Sequence, residues 1–149
     1  MMNLAQIHSS ASFMLKALSV AKKALPACRP NPPVGCVLVR DGEIISEGFT
    51  QAIGGHHAEV MALAAYTGSL DDVIAYVTLE PCAFVGRTPS CAQVLASSGI
   101  KHVVVSMLDP DSRNNGRGIH ILREAGIVVD IDIESERVRS FLMPYLGHS

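Results

Sequence analysis

His57 and Glu59 stand two apart, Cys82 follows Pro81 directly, and Cys91 comes after eight further residues. Together they offer one imidazole, two thiols and a spare carboxylate. That donor set suits a zinc ion with three protein ligands, a fourth position left for water, and a proton carrier beside it. Such a centre brings the pKa of a water down to about 7, and Glu59 can take its proton and pass it on. The matching reaction is hydrolytic attack at an amidine-like ring carbon that carries an exocyclic amine, with loss of ammonia.

Plainer readings compete. Two cysteines can simply be buried thiols, since Cys is a common core residue. A purely structural zinc site normally wants a fourth Cys or His. His56, Cys28 and Cys36 are the nearest candidates in sequence. Cys36 lies in an apolar run and Cys28 beside a proline-rich stretch, so both read as structural. His56 follows Gly54-Gly55 and reads as a loop residue. Glu59 has no part in a structural site, which favours the catalytic reading.

The elements that must position these groups follow from periodicity and turn signals. Leu4, Ile7, Ala11, Met14, Leu18, Ala21 and Leu25 recur every three or four residues, as in an amphipathic helix closed by Pro26. Arg29 to Pro33 carries three prolines and must be a stiff loop. Val34–Val39 predicts a strand buried on both faces, and Asp41-Gly42 a turn into a partner strand, Ile44–Phe49. A helix should start at Ala58 and end near Gly68. Val73–Leu79 reads as a third strand and Glu80 to Pro89 as a loop. Ser90 can cap a helix that runs to Gly99. His102–Leu108 is a fourth strand, about Arg117 to Ala125 a helix, Ile127–Ile133 a fifth strand, and Glu134 to Leu142 a last helix. The alternation predicts one α/β domain over residues 1–149, a five-stranded mixed sheet with three parallel strands and an antiparallel edge hairpin. His57, Cys82 and Cys91 fall where strands or loops hand over to helices, the usual place for sites in such sheets.

Composition narrows the partners. The 149 residues hold twelve basic and fourteen acidic side chains, a formal net charge of −2, with no basic run. There is no Trp, and only three Tyr and four Phe. A polynucleotide groove wants positive charge and stacking aromatics, so nucleic acid is an unlikely partner and a small aminated heterocycle the expected one. No apolar stretch is long enough to span a membrane, and no secretion signal stands at the start. Four cysteines in such a chain read as thiols or ligands, so the expected location is cytoplasmic. The apolar content and an exposed last strand are compatible with a homodimer or larger homo-oligomer.

Several segments resemble one family: Pro30-Asn31-Pro32-Pro33-Val34-Gly35, His57-Ala58-Glu59-Val60, Tyr76-Val77-Thr78-Leu79-Glu80-Pro81-Cys82, Gly86-Arg87-Thr88-Pro89-Ser90-Cys91 and Leu108-Asp109-Pro110. They look like the deaminase domain of the bifunctional riboflavin biosynthesis deaminase/reductase, within the cytidine deaminase-like superfamily. The eight-residue cysteine spacing is normal there. The resemblance spans about residues 10 to 132. It implies a three-layer α/β/α fold with helices on both faces of a five-stranded sheet. It implies one zinc ion per chain on His57, Cys82 and Cys91, with Glu59 as proton shuttle. The family reaction removes an amino group from a diaminopyrimidinone that carries a ribosylamino phosphate. With the chain stopping at Ser149, the family's reductase domain is not expected, so a stand-alone deaminase or a trimmed chain is the reading.

Departures fall on the substrate side. Thr50 stands where the family usually has His, Ala83-Phe84-Val85 where it has Ser-His-His or similar, and Asp111 where Asp-Pro-Asn ends. Two imidazole donors are lost and a neutral amide becomes a carboxylate, so a phosphate should be less welcome. Arg87 remains as an anion partner, and Arg113 or Arg117 can substitute from the next loop. Asn31 can bind a ring polar group, Phe84 can stack on a ring, and Thr50, Asp109 and Asp111 complete the expected substrate contacts. The expectation is a deaminase of an aminated pyrimidine, purine or related heterocycle. The alternatives are the riboflavin-pathway deaminase itself, then a nucleic-acid-editing enzyme or a zinc module without catalysis.

Overall fold

The computed structural model describes residues 3–84 and 89–146. Asn3 opens the first helix, α1 (Leu4–Ala21), through a reciprocal cap with Gln6, and a short 3₁₀ turn (Lys22–Ala24) follows. The periodic apolar pattern to Leu25 is therefore split: the chain tightens before Pro26 rather than running helical up to it. The proline loop then leads into β1 (Gly35–Arg40), which turns at Asp41-Gly42 into β2 (Glu43–Phe49). α2 (Ala58–Ala64), β3 (Val73–Leu79), α3 (Cys91–Ser97), β4 (His102–Met107), α4 (Arg117–Glu124), β5 (Val128–Asp130) and α5 (Ser135–Leu142) complete the order.

The sheet runs β2-β1-β3-β4-β5, with β1 antiparallel to both β2 and β3 and with β3, β4 and β5 parallel. Side chains alternate between its two faces. Cys36, Leu38, Val103 and Val105 pack with Ala62, Leu95 and Leu122 under α2, α3 and α4. Val37, Val39 and Val104 pack on the other face with Met14, Ala17, Val138 and Leu142 of α1 and α5. This is the expected three-layer α/β/α architecture, and it explains why β1 is apolar at nearly every position: both faces are covered.

The fifth strand is shorter than the expected Ile127–Ile133. It pairs with β4 only over Val128–Asp130, and beyond that point Asp132 adopts a left-handed φ of 66°, which leaves the ladder geometry. α2 and α3 also end a few residues before Gly68 and Gly99. At α3, the Ser98 hydroxyl donates to the Leu95 carbonyl and accepts from the Ile100 N–H, satisfying the last turn early. After α5 a further 3₁₀ turn, Met143–Tyr145, carries the chain back towards the carboxyl ends of the strands.

Candidate metal centre

α2 is held tightly on the hairpin. The Ser46 hydroxyl donates to the Ala62 carbonyl at 2.6 Å, and a Cβ at Gly48 would collide with the Ala58 carbonyl oxygen. That close approach fixes the start of α2, where His57 is the extended N-cap residue and Glu59 lies in the first turn. Residues two apart cannot share a face within a helix, but one before the helix and one inside its first turn can converge. Ser90 starts α3 through a reciprocal cap with Gln93, both bonds 3.2 Å, which sets Cys91 at the first helical position. Cys82 follows β3, and its carbonyl accepts the Ala92 N–H at 3.1 Å.

The three donors meet as the sequence requires. His57 Nδ1 lies 3.0 Å from Cys91 Sγ and 3.7 Å from Cys82 Sγ, and the Cys91 N–H donates to Cys82 Sγ at 3.4 Å. All three ligand atoms fall within 4.8 Å of one another. Zinc bonds of about 2.3 Å to sulfur and 2.0–2.1 Å to nitrogen give tetrahedral edges of about 3.5 Å, so the set fits one zinc ion. Cys28 and Cys36 are both buried and lie outside this cluster.

The charges are those of a ligand set. Hydrogen bonding to Cys91, and then the nearby His57, pull the Cys82 thiol down to about 4, so it is a thiolate. The same Cys82 sulfur pushes His57 upward, and hydrogen bonding to Cys82, with burial, pushes Cys91 far upward. Glu59 is only 4% exposed, and burial raises its carboxyl from the ordinary 4.5 to about 7.

His57, Glu59 and Cys82 line a cavity of about 440 Å³. Of the other expected site residues, Asn31, Thr50, Phe84, Asp109 and Asp111 all line it, and Arg87 lies outside the described residues. The structure gives several of them more definite work. Thr50 is buried, and its hydroxyl accepts the Val34 N–H at 3.0 Å and donates to the Pro32 carbonyl at 3.1 Å, pinning the proline loop that carries Asn31. Asp109 accepts the Asp111 N–H and the Asn114 amide. Asp111 is not a bare negative charge. Its carboxylate accepts Nη2 of Arg113 at 2.6 Å and Nε at 3.0 Å, which holds it down at about 2. Arg113 also lines the cavity, whereas Arg117, at the start of α4, does not.

Sequence reasoning missed Glu80 and Asn114. Glu80 is buried, and its carboxylate accepts the N–H groups of Asp109, Gly116 and Ile119 at 3.0, 3.0 and 3.1 Å. Asn114 accepts the Ala83 N–H and donates to the Pro81 carbonyl. A Cβ at Gly118 would strike that same carbonyl oxygen. These contacts lock the segment after β3 to the segment after β4. An acid at the end of an apolar strand must find donors, and that was the available signal for Glu80. Tyr145 and Leu146 also line the cavity, and nothing local in the sequence announces it.

The family model described as the cytidine and deoxycytidylate deaminase zinc-binding region matches residues 7–107. The chain belongs to that family. It is 45% identical over 128 residues to the riboflavin biosynthesis protein RibD of Aquifex aeolicus, an alignment that covers 86% of this chain and 36% of that protein. The solved structure of Acinetobacter baumannii RibD superposes with a TM-score of 0.90 at 41% identity, over 95% of this chain and 40% of the other. The diaminohydroxyphosphoribosylaminopyrimidine deaminase/5-amino-6-(5-phosphoribosylamino)uracil reductase of Thermotoga maritima gives 0.88 at 40% identity, over 94% and 41%. The chain therefore spans little more than a third of the length of these relatives.

Proposed function

We propose that this protein is a zinc-dependent hydrolytic deaminase that removes an exocyclic amine from a pyrimidine-type or related aminoheterocycle and releases ammonia. The observation that carries the reading is Glu59: a buried carboxyl raised to about 7, next in the fold to a His-Cys-Cys ligand set and lining the same cavity as His57 and Cys82. A structural metal site has no use for such a group.

Zinc held by His57, Cys82 and Cys91 would supply Lewis-acid activation of a water. Everything else falls to the chain's own residues. Glu59, with its carboxyl near 7, is poised both to accept and to donate a proton at working pH. It takes the proton of the attacking water and delivers one to the leaving nitrogen. Asn31, on the pinned proline loop, offers an amide to the ring's polar edge, and Phe84 offers an apolar wall. The carboxylates of Glu80 and Asp109 are engaged in holding loops, so we assign the proton work to Glu59 alone.

A second reading names the substrate as the riboflavin-pathway diaminopyrimidinone. Identity of 40–45% to relatives named for that pathway favours it. We also read the protein as cytoplasmic and homo-oligomeric. Among the described residues no helix is long and apolar enough to cross a membrane, and Val128 on the edge strand is exposed.

The test is ammonia release by zinc-loaded protein across aminopyrimidines, aminopurines and the phosphoribosylamino intermediate. Glu59→Gln should keep one zinc per chain and lower kcat by about 10²–10⁴-fold. Activity that survives Glu59→Gln removes Glu59 from the mechanism, and no activity on any substrate removes the deaminase reading.

A further inference from the structure

A second cavity, of about 350 Å³, lies at the far end of the sheet from the metal centre. Ile74 lines it and Leu79 lines the metal-centre cavity, at opposite ends of β3 and roughly 17 Å apart at the rise of an extended strand. Its floor is one row of the sheet, Val39 of β1 paired with Ile74 of β3, and Ile74 with His102 of β4. Its roof is the first half of α1, where Ala5, Gln6, Ser9, Ser10 and Phe13 share one face. The second half of α1 seals the sheet with Met14, Ala17, Leu18 and Ala21, all buried. The first half sets short and polar side chains over Val39 and Ile74 and leaves the row open. A helix that only covered the sheet would continue its apolar stripe, so the break in pattern marks a place kept for something other than packing.

We propose that this cavity binds a small organic ammonium ion, a primary amine on a short apolar body. Its volume lies within the range of small-molecule sites, and its make-up is theirs, an apolar floor with a few polar groups around it. Phe13 and Tyr76, with ring centroids 5.4 Å apart, give the body an aromatic surface. Charge sets the amine end. Asp41 and Asp72 line one side, and no lysine or arginine is among the described lining residues. Arg40 takes Oδ1 of Asp72 at 2.8 Å, whereas the Asp41 carboxylate has no hydrogen bond or ion pair with any described residue. A tight turn of left-handed residues, Asp41 at φ 49° and Gly42 at φ 78°, fixes where that carboxylate stands. The His102 imidazole is matched by Asp130, whose Oδ2 lies 2.6 Å from its Nε2, so it adds no unpaired positive charge. The hydroxyls of Ser9 and Ser10 offer further acceptors to an ammonium group. The site shares no lining residue with the metal-centre cavity and stands whether or not the deaminase reading does.

The test is a titration of zinc-loaded protein followed by backbone amide NMR shifts. The probe is phenethylamine, set against its neutral and anionic counterparts, 2-phenylethanol and 3-phenylpropionate. Phenethylamine should move the amides of Ser9, Ser10, Gly42 and Ile74 and bind about tenfold tighter than 2-phenylethanol, while 3-phenylpropionate leaves them in place. Asp41→Asn should weaken the amine by about threefold and leave the alcohol unchanged. Ser9→Trp, at an exposed helix position, fills the cavity from its roof and should abolish the shifts, with unchanged zinc content and thermal unfolding as the check on folding. Equal affinity for the three probes overturns the proposal. So does a shift map confined to His57, Glu59 and their neighbours, which would put the amine in the metal-centre cavity. Absence of amine binding overturns it too, and if Ser9→Trp then changes the sedimentation of the protein, a second copy of the chain covers the cavity.

Discussion

The inner wall of the metal-centre cavity is built on the ends of regular elements, with His57 and Glu59 at the start of α2, Cys82 just after β3 and Cys91 beside them at the start of α3, while the outer wall is made from loop residues, Asn31, Phe84, Asp111 and Arg113. The inner groups are fixed by main-chain geometry: a reciprocal cap at Ser90, a tight seat for α2 on the hairpin, and the Cys91 N–H aimed at the Cys82 sulfur. The outer groups are fixed by one another, through Thr50 on the proline loop and through the Asp111–Arg113–Phe84 stack. On the proposed reading, reaction type belongs to the wall seated on helix starts. Substrate choice belongs to the wall that a few side-chain changes can rebuild.

Glu80 joins the two, and its loss is the largest effect we expect. Glu80→Ala removes the acceptor of three N–H groups at the segment that also carries Asp109. Leaving buried donors unpaired costs about 1–3 kcal/mol each, so we expect a loss of about 3–5 kcal/mol in denaturant unfolding, with zinc and substrate affinity falling together. A loss below about 1 kcal/mol would mean that the walls are held independently.

The inner wall alone should show a pH signature in metal-free protein. Glu59 titrates at about 7 in the folded chain against an ordinary 4.5. As pH rises, the unfolded chain gives up this proton first and the folded chain retains it. The contribution of Glu59 is therefore fully present below about 4.5 and is lost by about 7. Glu59→Gln cannot lose a proton, so the variant should gain about 2–3 kcal/mol on the wild type across that window. Cys82, pulled down to about 4, contributes a slope of opposite sign in both proteins. A stability difference that stays flat between pH 4.5 and 7 would mean that the carboxyl is not buried as described.

The same division governs what the sequence reveals. The cluster of His57, Cys82 and Cys91 is legible because metal chemistry constrains residue types, and helix starts constrain spacing. The strands are legible because burial on both faces leaves continuous apolar runs such as Cys36–Val39. Glu80 and Asn114 are not, because their work is to bond main-chain groups some thirty residues away, and no local pattern records such partners. Asp111 is half legible. Its charge is evident in the chain, but whether that charge repels or positions depends on Arg113 lying beside it in space. Tyr145 reaches the cavity only because the chain turns back after α5.

Thr50 offers the smallest effect and the finest separation of the walls. Its position invites a role as a substrate contact, yet both capacities of its hydroxyl are used within the protein, one on Val34 and one on Pro32. Thr50→Val keeps the shape and removes both bonds, which should cost about 1–2 kcal/mol in thermal or denaturant unfolding. The proline loop would then hold Asn31 less firmly, so KM should rise severalfold while kcat stays within about twofold and zinc content stays at one per chain. Thr50→Ser restores the hydroxyl and should restore KM. If instead Thr50→Val raises KM with no loss of stability, the hydroxyl is touching substrate directly. If kcat falls with KM, the outer wall reaches the reacting atoms and the division between the walls is less sharp than their construction implies.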